Sequence, residues 1–63
     1  MEPLLTAAQV SEITGLTEGT LANMRSKGTG PAFVRLTPRV IRYTEEDVQE
    51  FIRNSRRTSA NEE

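Results

Sequence analysis

Apolar residues in the first half of the chain recur at helical spacing in two short blocks, each introduced by a threonine and closed by a glycine. The order Thr6-Ala7-Ala8-Gln9 fits a capping box, in which the Thr6 hydroxyl covers an orphan backbone N–H and Gln9 reaches back to the cap. Leu5 before the cap and Val10 after it supply a hydrophobic staple. Val10 and Ile13, with Ala7 behind them, then share one face, and Gly15 offers the left-handed residue that ends such a segment. This pattern predicts a first helix from about Ala7 to Thr14.

The cap signal repeats at Thr17, after Leu16, and predicts a second helix from Glu18 to Lys27 that stops at Gly28 and the following Thr29-Gly30-Pro31. Two helices joined by a turn of about three residues containing glycine have the spacing of a helix-turn-helix. With Leu21 at the centre of the buried face, Met24 lies beside it at i+3. Gly19, Asn23 and Ser26 then point the opposite way, with Thr20 and Lys27 on a flank and Arg25 at the edge of the buried face.

Beyond Pro31 the pattern changes. The segments Ala32 to Leu36 and Val40 to Tyr43 are rich in β-branched and aromatic residues and flank Thr37-Pro38-Arg39, which predicts a hairpin, the wing of the fold. Thr44 then caps a third helix, with Glu45, Glu46 and Asp47 in the first turn, where the helix dipole favours anions. Val48, Phe51 and Ile52 are its expected buried stripe. From Asn54 onward the periodicity is lost. The expected architecture is α+β, mainly α: a small winged helix-turn-helix over residues 1–54, followed by a disordered polar tail over 55–63.

Composition narrows what such a chain does. With 63 residues, the chain has room for one domain, which buries only about 60% of the surface its unfolded form exposes. It contains no cysteine and no histidine, so neither a disulfide nor a structural zinc site is expected to support the core. Leu4-Leu5 is the longest apolar stretch near the start, far short of a signal-peptide core or a membrane span, and a cytoplasmic location with no membrane association is the expectation. The net charge is −1, from 8 Lys and Arg against 9 Asp and Glu, but it is unevenly spread. Arg25, Lys27, Arg35, Arg39 and Arg42 fall within Arg25 to Tyr43, where no acidic residue occurs, whereas Met1 to Met24 holds Glu2, Glu12 and Glu18 and no cation. That local basic run is the expected footprint of double-stranded DNA.

Asn23 is the leading candidate for reading a base, because its amide can donate to and accept from the N6 and N7 edge of adenine in the major groove. The plainer alternative is a solvated polar residue. Thr20 and Ser26 are candidates for base or phosphate contact, and Gly19 allows close approach of the backbone to the duplex. Lys27 is a candidate phosphate contact. Arg25 is expected to pack its stem against the wing while its guanidinium reaches a phosphate or a carboxylate such as one in the third helix. Arg39, near the wing tip, is a candidate for the minor groove, with Arg35 and Arg42 holding flanking phosphates. For these three, protection of an exposed hairpin edge by charge is the alternative. Arg56 and Arg57 add phosphate or protein contacts, or simply solubility. Glu45, Glu46 and Asp47 are neighbours that fan out around a helix, so they do not converge as catalytic carboxylates. With no glycine-rich phosphate loop and too little chain for a deep pocket, no enzymatic activity and no cofactor are expected.

From Leu4 to Ile52 the chain also resembles the excisionase-type, MerR-like winged-helix family of phages and mobile elements. The resemblance lies in the "LLT" start, the "GLTEGTL" turn, the "RSKGTGPAFVRL" passage from helix to wing and the "RYTEEDVQEFI" third helix. It departs from the usual pattern at Met24, often tryptophan, at Ser11 and Ala22, and at Thr37-Pro38, where the wing tip usually starts with glycine. The resemblance implies an excisionase, a recombination directionality factor whose neighbouring copies self-associate cooperatively on DNA, bend it and direct an integrase, a tyrosine or serine recombinase, toward excision. It equally fits a small prophage transcription regulator on an operator. The absence from this sequence of an effector domain or a long dimerisation helix after the wing favours the first. A protein-interaction adaptor without DNA binding is the reading from another class, motivated by the acidic isoelectric point of about 5.4.

Overall fold

A computed structural model of the protein describes residues 2–57; residues 58–63 of the expected tail lie outside them. The order of elements is α1 (Ala7–Thr14), α2 (Glu18–Lys27), β1 (Val34–Thr37), β2 (Val40–Arg42) and α3 (Glu45–Asn54), the small winged helix-turn-helix expected from the pattern.

Each helix starts at a threonine whose side chain accepts a backbone N–H three residues on. Gln9 donates to Thr6 Oγ1 at 3.1 Å, Thr20 to Thr17 Oγ1 at 3.0 Å and Asp47 to Thr44 Oγ1 at 3.0 Å. At α1 the box is reciprocal, since Thr6 N–H donates to Gln9 Oε1 at 2.8 Å. Gly15 and Gly28 end the first two helices with φ of 81° and 72°, a conformation that costs glycine nothing. Between them, the Thr14 hydroxyl donates to the Val10 carbonyl at 2.8 Å and accepts the Leu16 N–H at 3.2 Å, which holds the three-residue turn.

The wing is an antiparallel pair in which Val34 faces Arg42 and Arg35 faces Ile41; the register then shifts so that Thr37 faces Val40, leaving Leu36 at a bulge. Both strands are shorter than the pattern predicted. Ala32 and Phe33 precede β1, and Tyr43 leaves the hairpin to pair with Leu5, whose N–H donates to the Tyr43 carbonyl at 2.7 Å while Tyr43 N–H donates to the Leu5 carbonyl at 2.8 Å. The residue that staples α1 therefore also fastens the N-terminal segment to the wing.

The core has one centre: Val10 from α1, Leu21 from α2, Tyr43 after β2 and Val48 from α3, with Leu5, Ala7, Leu16, Met24, Phe33 and Ile41 packed around it. Two expectations of burial fail. Ile13 is 54% exposed and Ile52 41% exposed, and Phe51 is half-buried. With three short helices and a two-stranded wing there are too few elements to cover both flanks of each apolar stripe, so only its central residue is sealed. Gly30 allows the α2–β1 connection to lie directly on Met24: a Cβ at Gly30 would come within 2.8 Å of Met24 Cβ.

Candidate nucleic-acid interface

The second helix of the pair is anchored by its buried Leu21 and half-buried Met24, which turns the opposite face outward. Gly19, Thr20, Asn23, Ser26 and Lys27 are all exposed on it. Among the described residues the side chains of Asn23, Ser26 and Lys27 take no hydrogen bond, so their donors and acceptors face solvent. Thr20 is pre-oriented: the Thr17 hydroxyl donates to Thr20 Oγ1 at 2.9 Å, which leaves the Thr20 proton directed elsewhere. At Gly19 an added Cβ would meet nothing nearer than Thr17 Oγ1 at 3.9 Å. The fold itself therefore has no need of glycine at this position.

The wing arginines fall into two kinds. Arg39 is exposed at the turn, where its N–H donates to Thr37 Oγ1 at 3.2 Å and its side chain is uncommitted among the described residues. Arg35 Nη1 donates to the Pro38 carbonyl at 3.1 Å, and its guanidinium lies 6.0 Å from the Phe33 ring centroid. Arg42 is half-buried and donates to the Ile41 carbonyl at 2.8 Å. Arg35 therefore ties its strand to the turn as well as charging it, whereas the Arg42 bond stays with its own chain neighbour.

Arg25, from the last turn of α2, is half-buried. Its Nη1 donates to the Tyr43 hydroxyl at 2.7 Å, and its guanidinium lies 6.0 Å from the centroid of the same Phe33 ring. The internal partner is a phenol and not a carboxylate of α3, the partner that sequence reasoning allowed. Tyr43 and Phe33 were both missed as contributors to this surface. A signal for Tyr43 existed, because alternation along a strand puts it on the same face as Ile41.

The acidic residues gather elsewhere. Glu45, Glu46 and Asp47 occupy the first turn of α3, and Glu2 sits against Glu45. A hydrogen bond to the Glu45 carboxylate, its repulsion and slight desolvation hold the Glu2 carboxyl above its ordinary pKa. Among the described residues there is no group of three or more His, Cys, Asp or Glu that could hold a metal ion, and no helix is long and apolar enough to cross a membrane.

A helix pair with its second helix presenting polar side chains, beside a basic two-stranded wing, defines the class of small winged helix-turn-helix domains, which place that helix in the major groove. The chain belongs to the helix-turn-helix domain family, which matches residues 4–56 and so takes in all five elements. That membership supports sequence-specific DNA binding, and such domains are typically not enzymes. No curated protein and no solved structure matches the chain.

Proposed function

We propose that this protein is a DNA-bending accessory factor of site-specific recombination, an excisionase that works with an integrase in the bacterial cytoplasm at the nucleoid. The observation that carries the DNA-reading half is the outer face of α2, where Gly19, Thr20, Asn23, Ser26 and Lys27 are exposed and have no packing duty. Asn23 reads a base, with Thr20 and Ser26 beside it; Lys27 and Arg25 hold phosphates; Arg39 enters the minor groove, and Arg35 and Arg42 lie along its flanks.

Assembly of several copies follows from size. A single winged module with a ten-residue recognition helix covers only about 600–1,000 Å² of its own surface on DNA. Useful affinity then requires neighbouring copies or a second protein on the same duplex, and a bent array of copies is a platform on which an integrase assembles. The resemblance to excisionase-type domains agrees with this reading, and the family includes excisionase-like DNA-binding proteins.

The test is gel mobility with circularly permuted DNA from the protein's own genetic element. Stepwise complexes whose mobility depends on site position support bending by several copies. A single complex without position dependence would instead identify an operator-binding regulator, and the absence of any complex would leave a protein-interaction adaptor.

A further inference from the structure

Tyr43 is the one member of the fully buried core cluster with a polar side-chain atom. Its ring is sealed, yet its hydroxyl is not an orphan, because Arg25 Nη1 donates to it at 2.7 Å. The bond joins residues 18 apart in the sequence. Apart from the exposed Glu2–Glu45 carboxyl pair, side-chain pairs such as Thr6 with Gln9, Thr17 with Thr20, and Glu50 with Arg53 and Asn54 each lie within about one helical turn. Around the same guanidinium stands Phe33, 6.0 Å away, with its ring tilted 59° to that of Tyr43 and centroids 6.4 Å apart. One side chain of the recognition helix is thus gripped by residues from both sides of the wing, just before β1 and just after β2.

That grip has a consequence for binding. A solvated arginine must give up most of its rotamer freedom when it meets a phosphate, and that loss weakens the complex. Arg25 has already given it up. Nη1 is held by the phenol, while Nε and Nη2 take no hydrogen bond among the described residues. We infer that Tyr43 is a positioning residue for DNA recognition: its buried hydroxyl fixes Arg25 so that the free donors of the guanidinium meet a backbone phosphate where recognition helix and wing adjoin. The inference rests on the DNA-binding reading above and adds to it a residue with no surface of its own.

A double-mutant cycle on the full chain separates positioning from mere stability. At a temperature where circular dichroism shows every variant folded, Tyr43→Phe is expected to weaken binding to the element's DNA about three- to tenfold, the cost of ordering one long side chain on binding. In an Arg25→Ala background the same change is expected to do nothing further. An equal loss in both backgrounds, or no loss with Arg25 present, overturns the inference while leaving DNA binding by the wild type intact. A wild type that binds no DNA overturns the DNA-binding reading and the inference together. Should Tyr43→Phe not fold, side-chain NMR of the unbound wild type decides: an Arg25 guanidinium as ordered as the backbone supports the inference, and one as mobile as that of Arg39 overturns it.

Discussion

Two glycines on the same helix and its exit carry opposite meanings. At Gly30 the chain lies so close to α2 that a methyl group would meet Met24 Cβ at 2.8 Å, and a Cβ cannot swing aside as a side-chain end can. Gly30→Ala should therefore destabilise the fold by about 1–3 kcal/mol, as overpacking does, read by chemical denaturation. At Gly19 the space is open, and glycine inside a helix is a conformational liability. Gly19→Ala should stabilise the protein by about 0.4–1 kcal/mol while weakening DNA binding, because the added methyl occupies the space a close backbone approach requires. A gain in stability with unchanged affinity would show that Gly19 does not approach the duplex. Glu2 offers a third residue-level test. The folded state holds its proton more tightly than the unfolded state does, because Glu45 lies against it. Its contribution therefore favours folding at low pH and is lost as pH rises through the raised value. NMR titration should find Glu2 above the ordinary carboxylate range, and Glu45→Gln should lower it.

At the scale of elements, the caps do most to fix where helices begin. The Thr17 hydroxyl accepts the Thr20 N–H at 3.0 Å and orients the Thr20 side chain as well. Thr17→Ala should cost about 0.5–2 kcal/mol, measured as a lower melting temperature. These local devices are written in short stretches of sequence, and for that reason all three helices begin where Thr6, Thr17 and Thr44 indicated, and the first two end at Gly15 and Gly28. Burial is not local, and there the sequence misled: Ile13 and Ile52 fit the apolar faces of their helices, yet among the described residues no element seals them. The Leu5–Tyr43 bridge was also invisible, because pairing between residues so far apart is decided by the assembled core. The candidate interface divides in the same way. Fixing Leu21 as buried was enough to expose Asn23, Ser26 and Lys27, since helix geometry sets the opposite face. The internal bonds of Arg35 and Arg42, to the carbonyls of Pro38 and Ile41, depend on side-chain rotamers and turn geometry that composition does not encode.

For the whole molecule, the charge total and the charge distribution point in different directions. A net charge of −1 gives no long-range attraction to a polyanion, but affinity that comes from counterion release depends on how many phosphates are neutralised at contact and not on the sum over the protein. The cations near DNA would be Arg25, Lys27 and Arg39, joined by Arg35 and Arg42 to the extent that their internal bonds leave donors outward, while Glu45, Glu46 and Asp47 are set apart on α3. Neutralising four to five phosphates should make log K fall against log salt with a slope of about −4. Within that total, Lys27→Ala should reduce the slope by about 1 and weaken all sequences alike, as loss of a phosphate contact does. Asn23→Ala should leave the slope unchanged and remove about 1–3 kcal/mol of discrimination at one base pair. A slope near zero for the wild type would mean that the local basic run is not the binding surface. A change of slope in Asn23→Ala, or of base preference in Lys27→Ala, would mean that the two residues have each other's role.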